Sequence, residues 1–425
     1  MKTVENPIIN SPYEEPRFHW HVQKDVPPEK RAGRRPASYF LRVPERAARG
    51  RASREQKELF DDAAVGEEYP LEIANLLRKR LAEWRSRGYE GATKVTRELL
   101  ELWHAPDRAQ PLFYAQLEAA ETVIFLVEGP MDLRQGVSVP LDEPGAAARE
   151  SGFKAFQRYA LKMATGSGKT TVMGMLSAWS ILNKVANPQA SEYSDTVLIV
   201  CPNITIRDRL QELKPERDET SLYRTRELVP SRLMPDLRRG EVFVTNWHGL
   251  ERQSVRDVNG QSARVVKRGT AVETLRTIKV TAAMPSDEIE RQALLGTFAI
   301  SSIERRTDGR PKAYLVRDTA YLESDAAFVK RVLGGRKGRS SAILVMNDEA
   351  HHAYRRGTAT TEEGADDELA DANAREATVW IEGLDRINKL LGGRGRGIRL
   401  CVDLSATPFY IQGSGNEVGQ PCWPH

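Results

Sequence analysis

The spacing of apolar residues changes character along the chain. Residues 1–60 are rich in proline and arginine and hold no sustained period, which predicts irregular chain with short ordered pieces. From Leu71 the pattern turns helical. Ile73, Leu77, Leu81 and Trp84 fall on one face, then Val95, Leu99, Leu102 and Trp103 within Ala92–His104. A third stripe, Leu117, Ala120, Ile124 and Val127, predicts a helix over Gln116–Glu128. All three stripes read as ordinary core packing.

Beyond about residue 158 short apolar runs take over, each followed by a turn or a helical stretch. Five predict strands: Tyr159–Met163, Thr196–Cys201, Glu241–Thr245, Ala342–Asn347 and Arg399–Leu404. Continuous apolar strands alternating with helices indicate a parallel sheet covered on both faces, hence an α/β fold. Ligands of such sheets bind beyond the carboxyl ends of the strands. The stretch Leu250–Ser341 is too long for a single crossover. Arg264–Lys267 and Thr274–Thr281 alternate like strands, and Ser286–Leu295 and Ala326–Leu333 look helical, so this is an insertion with structure of its own. Two basic, glycine-rich turns, Gly334–Arg339 and Gly392–Arg399, precede the last two core strands and read as solvated turns.

Composition narrows the class. A length of 425 residues suggests two to three domains, and 40% hydrophobic residues can build a large core. The longest apolar runs are far shorter than the roughly twenty residues of a membrane helix, and no apolar leader segment opens the chain. Cys201, Cys401 and Cys422 form no CxxC pair and no zinc spacing. These features point to a reducing, cytoplasmic setting. The net charge of +4 is unevenly spread: Arg17–Lys57 carries twelve Lys/Arg against four Asp/Glu. That arm reads either as a solvated linker or as a contact for a polyanion.

The chemistry lies at the strand ends. Ala164-Thr165-Gly166-Ser167-Gly168-Lys169-Thr170 follows the first strand and precedes a helical run containing Val172, Met175, Leu176 and Trp179. This is the setting of a phosphate loop. Glycines let backbone N–H groups turn inward around phosphates, and the helix N-terminus adds its dipole. Lys169 can reach the β and γ phosphates of ATP, and the Thr170 hydroxyl can ligate Mg²⁺. Thr165, Gly166, Ser167, Gly168 and Thr171 complete the candidate cradle. The position where the usual pattern has its first glycine is Met163.

The fourth apolar strand ends in Asp348-Glu349-Ala350-His351. A parallel strand delivers its terminal carboxylates to the same edge as the phosphate loop. Mg²⁺ keeps several waters and takes one or two carboxylates, which makes Asp348 a candidate metal ligand. Glu349 is the candidate for orienting the attacking water.

In this order the motifs resemble superfamily 2 helicases and translocases of the DEAH-box type, most of all the helicase (Res) subunit of type III restriction enzymes. The elements that carry the resemblance are the Ala164–Thr170 loop, Pro202-Asn203, Thr245-Asn246-Trp247-His248, the Asp348–His351 box and Ser405-Ala406-Thr407. Phe113-Tyr114-Ala115-Gln116 resembles the upstream element whose glutamine reads adenine, and residues 6–16 look like the start of restriction-type relatives. The resemblance implies a RecA-like P-loop NTPase fold. It implies ATP and Mg²⁺ as cofactors and nucleic acid, in the restriction type duplex DNA, as partner, with a methyltransferase subunit alongside. It places Asn203, Arg207, Thr245 and Asn246 on the nucleic-acid backbone, and His351, Ser405 and Thr407 in the link between ATP state and domain motion. Arg207 reads equally as a solvated helix charge, and His352 receives no role.

On this basis residues 1–105 form a basic N-terminal extension and 106–425 a first RecA-like domain carrying the insertion at about 250–341. The family's second motor domain, which supplies arginine fingers, and a nuclease are not found in the 18 residues after Thr407. The expectation is a truncated, weakly active module. Alternatives are a helicase fragment for DNA repair or RNA handling, and a nucleotide-gated DNA-binding module without turnover.

Overall fold

A computed structural model of the 425-residue chain describes residues 6–22, 26–42, 66–254, 270–282, 284–295, 298–334, 342–355, 367–392 and 397–407. Several expectations lie outside the described residues. These are the strand over Arg264–Lys267, positions 23–25 and 43–57 of the basic arm, 335–339 and 393–396 of the glycine-rich turns, and the tail after residue 407. The chain divides into two compact units, Met1–Gly249 with Arg336–His425, and Leu250–Gly335.

The first unit is built on a six-stranded sheet. Its strands are β1 (Leu141–Asp142), β2 (Phe156–Lys162), β3 (Thr196–Cys201), β4 (Glu241–Asn246), β5 (Ile343–Asp348) and β6 (Ile398–Ser405), in the order β1-β2-β6-β5-β3-β4. All five predicted strands are present. The first runs Phe156–Lys162, so Met163 falls just past its end. Pairing is parallel throughout except for β1, a short antiparallel edge strand that the sequence reading did not anticipate. Every residue of β3 and β5 is buried, as continuous Val/Ile/Leu runs require of a sheet with both faces covered.

Helices cover the faces. The three early stripes become α1 (Glu72–Ser86), α2 (Lys94–His104) and α3 (Tyr114–Glu128). Thr93 starts α2 by accepting the Thr96 N–H on its side chain, one of the orphan donors of a helix start. Leu81, Trp84, Leu99, Leu100 and Trp103 of the first two share one core with the sheet and with α4 (Lys169–Ala186), which follows the Ala164–Gly168 loop. The side chains of α4 are buried without a break from Thr171 to Lys184, so it is a core helix with no solvent face. Truncating a residue such as Leu176 there costs about 2–5 kcal/mol.

A long helix, α5 (Asp367–Gly392), was missed. Its signal is present: Ala374, Ala377, Trp380, Ile381, Leu384, Ile387 and Leu391 are buried at helical spacing. A strongly charged first turn hides the period's onset.

The second unit contains a three-stranded antiparallel sheet, with Pro311–Leu322 between Ala299–Arg305 and Thr270–Lys279. The expected strand near Thr274–Thr281 and both expected helices are found, as Ser286–Leu294 and Asp325–Val332. Ile278, Ile289, Phe298, Tyr314 and Val316 form its own small core. No helix of the described residues is long and apolar enough to cross a membrane.

Candidate functional site

The register of the sheet decides which residues can meet. Ser405 lies opposite Lys162 and Leu404 opposite Asp348, so the loop after β2, the acidic turn after β5 and the end of β6 share one edge. The first of these is closed by a tight turn in which Ser167 donates from both its N–H and its Oγ to the Ala164 carbonyl, at 3.2 and 2.6 Å. Gly166 and Gly168 take φ +79° and +88°, conformations in which a Cβ would crowd the backbone. Met163 needs no such freedom. Its side chain is buried in the core and its N–H donates to the Ser405 carbonyl at 2.9 Å. A glycine there would give up packing and gain nothing.

Gly168 is constrained from a second side. A Cβ on it would stand 1.9 Å from Gln116 Nε2. Gln116 is buried and its amide is held at both ends: Oε1 accepts from Phe113 N at 2.9 Å, and Nε2 donates to the Ser167 carbonyl at 3.1 Å. The N-terminal segment leans on the same turn. Tyr114 N donates to the Pro12 carbonyl at 2.8 Å, and the Tyr13 and Phe113 rings lie 5.5 Å apart. Pro12 and Tyr13, within the stretch 6–16, therefore brace the glutamine element.

Across the edge, Lys169 Nζ donates to Glu349 Oε1. Glu349 occupies the left-handed region, at φ 49° and ψ 47°, which a non-glycine residue adopts only where its surroundings hold it. Its N–H donates to Asp348 Oδ1 at 3.1 Å. Asp348 is 3% exposed, and burial pushes its carboxyl above the usual Asp range while the charge of Lys169 pulls the other way.

His351 Nδ1 and Ser405 Oγ share a hydrogen bond of 2.9 Å, and Ser405 Oγ also accepts from Thr407 N at 3.1 Å. Burial, then the neighbouring His352, hold the His351 ring below the usual histidine value. His352 Nδ1 faces Glu376 of α5 at 3.4 Å. Thr170 is partly exposed beside Lys169, whereas Thr171 is turned into the protein.

Asn203, Thr245 and Asn246 gather at the neighbouring strand ends, where Cys201 and Asn246 are register partners. Cys201 Sγ donates to the carbonyls of Thr245 and Asn203, at 3.3 and 3.4 Å. Asn203 caps a short helix by accepting the Ile206 N–H at 2.9 Å. Asn246 Nδ2 meets His248 Nδ1 at 3.3 Å, and the His248 ring is stacked on Trp247 at 3.7 Å. Arg207 is part-exposed, with its guanidinium against Asp208 at 2.9 Å. Cys201 is fully buried, and burial pushes its thiol up to about 12.

Sequence reasoning missed the polar cluster behind the acidic turn: Asp142, Arg158, Asn347, Arg355, Asp385 and Asp403. A signal existed. Asp403 interrupts the apolar run Leu400–Leu404, and a charge in such a strand must be paired, whereas Arg158 stands just outside the predicted strand Tyr159–Met163.

Among the described residues no group of three or more His, Cys, Asp or Glu side chains assembles as a metal cage. A hydroxyl and one buried carboxylate instead suit a hard cation that keeps its waters and shares substrate phosphates. Residues 110–283 match the family described as type III restriction enzyme, res subunit. No curated protein and no solved structure matches the chain. The matched span takes in Gln116, the phosphate loop and the ends of β3 and β4. Over residues 110–283, less than half of its length, the chain is similar to the Res subunit of type III restriction enzymes.

Proposed function

We propose that this chain is the ATP-binding and ATP-hydrolysing module of a helicase or translocase of the type III restriction kind, working on duplex DNA beside a methyltransferase subunit. The observation that carries the reading is the contact between Lys169 and Glu349, which joins the loop after β2 to the acidic turn after β5.

In this reading the backbone of Thr165–Gly168, the N-terminus of α4 and Lys169 hold the nucleotide's phosphates, and Gln116 reads the adenine edge. Thr170 and Asp348 hold Mg²⁺, which when bound neutralises charge on the phosphoryl group. The ion pair keeps Lys169 extended toward the edge where phosphates bind, and phosphate oxygens compete with Glu349 for its donors. Glu349 then has an oxygen to accept a proton from water. Its left-handed backbone and its N–H on Asp348 fix the direction of that oxygen. His351, Ser405 and Thr407 form the link through which nucleotide state reaches the nucleic-acid side. Asn203, Arg207, Thr245 and Asn246 hold the phosphate backbone, which positions the strand without reading sequence. The Leu250–Gly335 unit is an insertion between the two halves of the motor sheet.

The test is ATP turnover by the chain with duplex DNA, with RNA of equal length and without nucleic acid. Stimulation by duplex DNA above RNA supports the reading. Equal turnover in all three contradicts it, and stronger stimulation by RNA contradicts the assignment to DNA.

A further inference from the structure

Arg158 sits within β2, buried, and its guanidinium has three partners on three elements. Nε donates to Asp403 Oδ2 at 2.6 Å, Nη1 to Asp142 Oδ2 at 3.1 Å, and Nη2 to the carbonyl of Ala353. The positions of two of these partners matter. Asp403 stands two residues before Ser405 on β6. Ala353 stands two residues after His351 on the acidic turn. One side chain therefore holds a residue beside each member of the His351–Ser405 hydrogen bond, through the Asp403 carboxylate and the Ala353 carbonyl.

The grip is closed on the far side. Asp403 Oδ1 accepts from Asn347 Nδ2 at 2.7 Å, one residue before Asp348, and Asn347 Oδ1 accepts from Trp380 Nε1 of α5 at 3.0 Å. Asp142 Oδ1 accepts from Arg355 Nε at 2.6 Å, and Arg355 forks onto Asp385 of α5 with two bonds of 2.9 Å. Both carboxylate partners are thus themselves held, and a network satisfied in this way favours one arrangement of its backbone attachments.

We propose that Arg158 is a positioning residue that sets the separation between the turn carrying His351 and the strand end carrying Ser405, and so maintains the link between the nucleotide and nucleic-acid sites. The inference rests on the reading of His351–Ser405 as that link. A planar guanidinium can serve three directions at once. A lysine at the same place keeps the charge beside Asp403 and Asp142 but offers a single donor atom, and cannot span to Ala353 as well.

The experiment measures binding of fluorescent duplex DNA to the full 425-residue chain, with and without Mg²⁺ and the imido analogue of ATP. The ratio of the two affinities is the coupling factor, typically about 5–150-fold in coupled systems. Four proteins are compared: the unaltered chain, Ser405→Ala, Arg158→Lys and the double variant. The proposal expects each single change to bring the factor below about 2-fold, the double to lose no more than either single, and nucleotide affinity of Arg158→Lys to stay within about 2-fold. Asp403→Asn, which keeps the side-chain shape, is the second probe of the same grip and is expected to uncouple likewise.

Coupling lost in Ser405→Ala but intact in Arg158→Lys and Asp403→Asn overturns the positioning role and leaves the link standing. Nucleotide and DNA binding weakened together at an unchanged ratio make Arg158 structural only, and overturn it too. No coupling in the unaltered chain, or full coupling in Ser405→Ala, overturns the link and this inference with it.

Discussion

Lys169 Nζ donates to Glu349 Oε1, two residues 180 positions apart in the chain that meet at the carboxyl edge of the central sheet. The lysine opens α4 and the glutamate follows β5, so only the parallel sheet unites them. Their roles separate under substitution. Glu349→Gln keeps the shape and removes the base, so ATP affinity is expected to hold within about 3-fold while turnover falls about 10²–10⁴-fold. Equilibrium binding and steady-state hydrolysis on the same preparation check the split. A proportional loss of both would place Glu349 in binding instead.

The two loop glycines predict different outcomes. Both have positive φ, so an alanine at either costs about 1–2 kcal/mol in strain. Around Gly166 there is open space, whereas a methyl on Gly168 collides with Gln116 Nε2 at 1.9 Å. Gly168→Ala is therefore expected to abolish preference for ATP over GTP, as Gln116→Ala should, and Gly166→Ala to preserve it. Nucleotide competition against both bases reads this directly. An equal preference in the two glycine variants would contradict the contact.

Away from the nucleotide edge, Glu121 of α3 is fully buried and accepts from Arg85 at 3.0 Å, His104 at 2.8 Å and the Tyr89 hydroxyl at 2.7 Å. Burial alone pushes its carboxyl up, but the hydrogen bonds from His104 and Arg85 and the charge of Arg85 outweigh it, and the net shift is downward. A lowered folded-state value means that the unfolded chain takes up the proton more readily. The stabilisation is complete above the ordinary Glu range and fades as pH falls below it. Glu121→Gln is expected to cost about 3 kcal/mol at pH 7 and to flatten the acid limb of stability. Denaturant midpoints from pH 7 down to about pH 2.5 measure both. An unchanged acid limb would show that Glu121 does not control it.

Much of this was legible in the sequence, for reasons visible in particular residues. The five core strands are runs such as Val197–Cys201 and Ile343–Met346, where burial on both faces leaves no alternation to misread. The glycines of the loop after β2 stand out because positive φ at Gly166 and Gly168 leaves few residue choices. The joining of Gln116 to Ser167, and of Arg158 to Asp403 and Ala353, was not legible. These contacts depend on which strand lies beside which, and strand order is set by the packing of the whole sheet. The edge strand Leu141–Asp142 has two residues and no pattern of its own. The helix Asp367–Gly392 carries a clear apolar stripe, but its charged first turn, Asp367-Glu368, hides where the period begins.

The central claim is that the loop around Lys169 holds the phosphates of ATP. Titration of Mg²⁺–ATP into the unaltered chain and into Lys169→Ala, with circular dichroism to compare their folds, tests it most directly. Binding by the first and a loss of at least about 10-fold in the second, with matching spectra, is the predicted result. Equal affinity in two equally folded proteins, or no binding by the unaltered chain, would contradict the account.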